Sequence, residues 1–91
     1  MSPSRLSLQI TYRDGKPVAA YIGLGRALGE RCVRSEEVGP EIVVDFGADG
    51  RPLGIEVIDP VSTSSDELYG VFDTLGLRRP SPGALSPLTA A

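Results

Sequence analysis

The sequence contains no histidine and no tryptophan, and its single cysteine is Cys32. Histidine is the commonest general base and a common metal ligand, so its absence excludes the most frequent catalytic and metal-binding arrangements. One cysteine excludes a disulfide within the chain. No apolar run approaches the ~18 residues of a membrane-spanning helix, and Met1 to Arg5 lack the apolar stretch of a signal peptide. These absences favour a cytoplasmic protein with no cofactor, no metal and no membrane partner.

Charge leans to the acidic side, with nine basic against twelve acidic side chains and a net charge of −3. A nucleic-acid-binding surface normally carries a basic patch, so we do not expect nucleic acid as a partner. The 91 residues are 41% hydrophobic and 23% charged, which is typical of one small globular domain. We predict a loose N-terminus over 1–5, a single domain over 6–77 and a disordered tail rich in proline and serine over 78–91.

Two hairpins are predicted from the alternation of apolar and polar residues, which is typical of half-buried antiparallel strands. The first hairpin turns at Gly15, and the second joins segments 41–46 and 52–58 through Asp49-Gly50, a favoured two-residue turn. Both registers bring apolar residues opposite each other. The predicted pairs are Leu6 with Leu24, Leu8 with Ile22, Ile10 with Ala20 and Tyr12 with Val18, then Ile42 with Val57, Val44 with Ile55 and Phe46 with Leu53.

A third strand is expected over about residues 31–38, where charged residues favour an edge position. Ser64 and Glu67 then have the spacing of a helix capping box, and Gly76 is typical of a helix end. Four apolar residues between them share one helix face: Leu68, Val71, Phe72 and Leu75. The predicted fold is α+β, a five-stranded antiparallel β-meander with one C-terminal helix packed on its apolar face. Because one short helix cannot cover five strands, we expect sheet curling or a second subunit to close the rest.

Acidic residues mark the outer face of the second hairpin. Asp45, Asp49 and Glu56 approach the spacing of a calcium-binding loop, but strands rather than helices flank them. In the predicted register Asp45 and Glu56 are diagonal neighbours, which suits at most an open cation site or simply solvated charges. Tyr21 points away from the buried side of its strand and either stacks on neighbouring strands or forms an exposed pair with Ile58. These five residues are the candidate interaction or ligand face.

Several segments resemble one family of small bacterial domains. Residues 35–38, 42–46, 48–51 and 54–58 read SEEV, IVVDF, ADGR and GIEVI, and they are similar to the core signature of the YuzE-like domains. The likeness extends over about residues 6–60. It implies a small β-sheet with a helix and no established activity, and it suggests a partner among small toxin-like proteins.

Our leading hypothesis from the sequence is therefore a non-enzymatic protein-interaction module, antitoxin-like in role, that binds a small protein or a second copy of itself. The motivation is the missing catalytic chemistry and the incomplete helix cover. The alternative is a domain that binds a small ligand or a divalent cation through Tyr21, Asp45, Asp49 and Glu56.

Overall fold

The computed structural model describes residues 6–25 and 29–89, which fold around one five-stranded sheet. The strands are β1 (Leu6–Arg13), β2 (Lys16–Leu24), β3 (Arg34–Gly39), β4 (Ile42–Phe46) and β5 (Pro52–Val57). The helices are α1 (Ser65–Thr74) and α2 (Ser86–Thr89), with 3-10 turns at Pro60–Ser62 and Pro82–Leu85. The predicted loose segment, residues 1–5, lies outside the described residues. Within those residues, no helix has the length and apolar character needed to cross a membrane.

The sheet is antiparallel throughout, as predicted, but its strand order is β1-β2-β5-β4-β3, which corrects the predicted meander. Both hairpins form, and the charged third strand lies at an edge. β5 returns to pair with β2, so that Ile22 lies opposite Ile55 and Tyr21 opposite Glu56. Burial explains the order: β2 and β5 have apolar inner faces that suit the middle of a sheet, whereas the exposed and charged β3 tolerates an edge.

The first hairpin has the predicted register except at its turn. Leu6, Leu8 and Ile10 lie opposite their predicted partners, but Tyr12 faces Pro17 rather than Val18. The chain turns through Asp14 and Gly15, both with positive φ (53° and 78°), which makes the loop two residues long. A bulge at the next position of β2 then adds one residue, and this restores the predicted pairing further along.

The second hairpin also departs from prediction only near its turn. Ile42 and Val44 face Val57 and Ile55 as predicted, whereas Phe46 faces Pro52 instead of Leu53. The connection is longer than a two-residue Asp49-Gly50 turn because Gly50 donates its N–H to the carbonyl of Gly47. A left-handed φ of 84° at Gly50 closes this four-residue turn.

Helix α1 begins and ends where the sequence predicts. Ser64 is its N-cap, and the Ser64 hydroxyl and the Glu67 carboxylate each accept the other residue's backbone N–H in a capping box. Gly76 follows the C-cap with φ of 71°. The helix face buried against the sheet carries Leu68, Val71 and Phe72.

The C-terminal segment differs from the predicted disordered tail. Residues 82–89 form the second 3-10 turn and α2, and Leu85 and Leu88 are almost fully buried in the core cluster. Two leucines three positions apart can cover apolar surface that α1 leaves open. Sheet curling or a second subunit was expected to provide this closure. The core cluster consists of Ala20, Ile22, Leu24, Ile42, Val44, Phe46, Ile55, Val57, Leu68, Val71, Phe72, Leu85 and Leu88.

Candidate interaction surfaces

Tyr21 lies flat across the outer face of the sheet, over Gly54 of the neighbouring strand. A Cβ atom built on Gly54 would collide with the Tyr21 ring and hydroxyl, so only glycine leaves room for the ring. The Tyr21 hydroxyl donates a hydrogen bond to Oδ2 of Asp45 on β4, 3.3 Å away. Tyr21 therefore stacks on neighbouring strands, which is one of the two roles considered for it, and its ring covers a glycine that would otherwise weaken the sheet.

Asp45 extends this contact to the edge strand. Its Oδ1 accepts a 2.7 Å hydrogen bond from the Ser35 hydroxyl of β3, so each carboxylate oxygen has a partner on a different strand. We call Tyr21, Asp45 and Ser35 the polar row. It crosses the outer face from β2 to β3 and ties the edge strand to the centre of the sheet. Close to its end lies Cys32, whose exposed thiol donates to the Arg34 carbonyl at 3.3 Å.

The structure brings together three of the five predicted site residues. Tyr21 lies opposite Glu56 in the ladder, and Asp45 is diagonal to Glu56, as the predicted register requires. Asp49 is instead in the turn, where its Oδ1 accepts the Arg51 N–H at 3.0 Å. Ile58 follows the end of β5 and is 45% exposed. No group of three or more cysteine and acidic residues within 6–25 and 29–89 is arranged to hold a metal ion, and cation binding stays a prediction.

A groove opens on the other side of the sheet, between α1 and the turn that joins β3 to β4. Its volume is about 280 Å³, and its surface is mostly apolar. Gly70 faces this groove from the middle of α1, and a Cβ atom there would meet nothing within 4 Å. A glycine at this position lowers helix stability by about 1 kcal/mol relative to alanine, and no neighbouring atom is close enough to require a glycine there.

The free edge of β1 combines length with an absence of charge. Within the described part of the chain β1 pairs with β2 only, and the seven residues Leu6–Tyr12 carry no charged side chain. Alternation places Leu6 and Tyr12 on the core-facing side, yet they are 37% and 57% exposed. Val18, the extra residue of the bulge beside Tyr12, is 41% exposed. We call the edge of β1 and these three side chains the β1 surface.

The β3 edge is protected in three ways. Arg34 forms an ion pair with Glu36, and its guanidinium lies 4.1 Å from the centre of the Phe46 ring, a cation–π contact. A register shift between Glu37 and Gly39 bends the strand at its end. Charges and bends are the usual protection of natural edge strands against further pairing.

The β1 surface was not among the predicted site residues. Tyr12 and Val18 were predicted to bury each other as partners, because the bulge that separates them has no signature in the alternation. The available signal was the run Leu6–Tyr12 without a charge, in contrast to the third strand, in which charges are frequent. Such an asymmetry identifies the less protected of two edges.

One comparison with known proteins gives a match. Residues 19–59 are similar to a family described as a protein of unknown function, DUF2283. The matched segment runs from the middle of β2 to just beyond β5, so it contains the polar row but neither β1 nor the helices. No curated protein and no solved structure matches the chain. The similarity to this family therefore lies in the four-stranded part of the sheet that the polar row holds together.

Proposed function

We propose that this chain is a non-enzymatic protein-interaction module whose β1 surface accepts an additional strand from a protein partner. The observation that carries the proposal is the free edge of β1. Seven consecutive residues of this strand carry no charge, and exposed apolar side chains border the edge. Exposed apolar residues beside a sheet edge are typical of surfaces that bind protein.

Strand addition explains how such a surface would bind. Alternate residues of an edge strand direct their N–H and C=O groups away from the sheet, and an incoming antiparallel strand satisfies them. Backbone hydrogen bonds of this kind supply affinity, and side chains on one face supply specificity. Here the specific contacts would come from Leu6, Tyr12 and Val18, which the chain itself leaves exposed.

The outer face supports a structural role for the polar row rather than a catalytic one. Asp45 has a hydroxyl partner on each oxygen, from Tyr21 and from Ser35. A carboxylate held in this way between strands serves to join them, and a general base would instead need an oxygen open to a substrate. The polar row is therefore best understood as part of the sheet's internal structure.

The resemblance to YuzE-like domains supplies the finer part of the proposal. It extends over about residues 6–60, with its quoted motifs within residues 35–58, and it favours an antitoxin-like role in which the module contacts a small toxin-like protein. A partner at the β1 surface would leave the strands that carry these motifs, β3 to β5, accessible.

Photo-crosslinking in cells of the source organism tests the proposal. A photoreactive phenylalanine replaces Tyr12 in one variant and Val33 in the other, because these residues are 57% and 60% exposed and Val33 precedes β3 at the opposite edge of the sheet. We expect a discrete crosslinked protein band, of this chain or of another, with the variant at position 12 only. Equal labelling at both positions, or no crosslink at position 12, would contradict the proposed docking site.

A further inference from the structure

The sequence of β1 is nearly symmetric about Gln9. Reading outward from that residue in both directions gives an aliphatic residue, then a hydroxyl residue, then an apolar residue: Ile10, Thr11 and Tyr12 on one side, and Leu8, Ser7 and Leu6 on the other. Gln9 itself is exposed on the outer face, opposite Tyr21 in the β1–β2 ladder. A strand with this symmetry is chemically complementary to an antiparallel copy of itself.

Geometry limits the registers in which two copies of β1 can pair about a two-fold axis. A shift by one residue turns apolar side chains to the opposite face, so the axis must pass through a residue of the strand. An axis at Gln9 pairs all seven uncharged residues, with Leu8 opposite Ile10, Ser7 opposite Thr11 and Leu6 opposite Tyr12. With an axis at Leu8 or Ile10, only five of the seven uncharged residues would pair with one another.

We infer that the strand docked on the β1 surface is β1 of a second copy of this chain, antiparallel, with Gln9 facing Gln9 across a two-fold axis. This inference rests on the proposed function and specifies its partner. The two sheets would join into one continuous ten-stranded sheet. On its inner side the exposed Leu6 of each copy would cover the exposed Tyr12 of the other.

Charge favours the centre of β1 over the centre of β3. Two copies with a net charge of −3 repel each other, so a joint needs a segment free of acidic residues, which Leu6–Tyr12 provides. In β3, a two-fold axis at either central residue, Glu36 or Glu37, would place that acid opposite its own copy. Like charges directly opposite each other destabilise a strand pair.

The area of the interface between the two β1 strands determines the expected affinity of the dimer. Stable interfaces bury roughly 800 Å² on each partner, and one pair of short strands with a few side chains falls at or below that value. We therefore expect a dimer with a dissociation constant of about a micromolar, which forms at high protein concentration and separates on dilution.

Light scattering on the full chain tests the inference. We expect a mass twice the monomer's 9.6 kDa at high concentration and 9.6 kDa after dilution. Gln9→Lys should weaken the dimer at least tenfold, because it sets two ammonium groups opposite each other in this register. Gln9→Glu should do the same with two carboxylates. An equimolar mixture of the two variants should recover the dimer, since position 9 then pairs opposite charges.

Two controls keep the result specific. Gln9 is exposed, so the unchanged melting temperature of diluted Gln9→Lys shows that the monomer is intact. Glu37→Lys alters charge on the opposite edge and should leave the dimer unchanged. A monomer at every concentration, or variants whose mixture fails to recover the dimer, would overturn the inference. The proposed function would still be decided separately, by whether the crosslinker at Tyr12 captures another protein.

Discussion

At the β3 edge, an arginine is held by a carboxylate and an aromatic ring, and the polar row ties the strand to the centre of the sheet. At the β1 edge, a slightly longer strand is uncharged over Leu6–Tyr12, and its apolar side chains are only partly buried. One edge of this small sheet is thus protected by its own side chains, whereas the other edge is unprotected, and it is there that we propose a strand docks.

The largest effect on stability is expected at Gly54, the glycine on which the polar row depends. Gly54→Ala forces the Tyr21 ring away from its place over β5 and breaks its hydrogen bond to Asp45. We expect the free energy of unfolding to fall by about 2 kcal/mol in urea denaturation, from overpacking and the lost hydrogen bond. The β1–β1 association should persist wherever the variant is folded.

The matched control for this variant is the same substitution in a chain that also carries Tyr21→Ala. Tyr21→Ala removes the three atoms nearest to the added methyl group, so Gly54→Ala should then cost well under half as much. Equal costs in both backgrounds would show that the ring and the glycine are not coupled and that the β3 edge is not secured through the polar row.

A smaller effect is expected at the aromatic contact of the β3 edge. Arg34→Ala removes the cation from the Phe46 ring and the ion pair with Glu36, and we expect a loss of about 1 kcal/mol. Arg34→Lys keeps the charge but not the planar group that stacks on the ring, so it should recover only part of that loss. If removal of Arg34 also creates a second mode of self-association by light scattering, its protective role at this edge is established.

The smallest effect is expected outside the sheet, at the exposed pair formed by Asp73 and Arg79. The Arg79 guanidinium donates two hydrogen bonds to the Asp73 carboxylate, and this lowers the pKa of Asp73 below its ordinary value of 3.8. A lowered carboxyl pKa adds stability that is present above pH 3.8 and is lost as the pH falls through the folded-state value. Asp73→Asn should therefore lower the melting temperature slightly at pH 7, and this difference should shrink as the pH falls below 3.8. A difference that stays constant as the pH falls would mean that the pair acts through something other than charge.

Much of the fold could be predicted because alternation and capping are local signals. The pairs Ile10 with Ala20 and Val44 with Ile55, and the capping box at Ser64, follow from residues close in sequence. Strand order could not be predicted in the same way, because alternation defines a strand's buried face but not which distant strand lies beside it. The bulge at Val18 could not be predicted for a related reason. A short turn followed by a bulge gives the same pairing further along the hairpin as a longer loop would.

The candidate site was predicted only in part. Diagonal placement of Asp45 and Glu56 follows from hairpin register alone, and it is confirmed. The position of Tyr21 over Gly54 depends on β2 meeting β5, a contact between strands about thirty residues apart that no local pattern encodes. The buried Leu85 and Leu88 were missed because two leucines among prolines and serines show too little periodicity to predict a packed helix.

The position of Leu88 in the core has a consequence for biosynthesis. The core contains residues from Ala20 to Leu88, so it cannot close before almost all of this segment has left the ribosome. The first hairpin is complete at Leu24, and the next 64 residues, up to and including Leu88, take about 3–13 s to synthesise at typical rates. During that interval the uncharged β1 strand is present without its core, and neighbouring nascent chains on one messenger RNA could meet through it. Assembly between two copies would then begin during translation rather than after release.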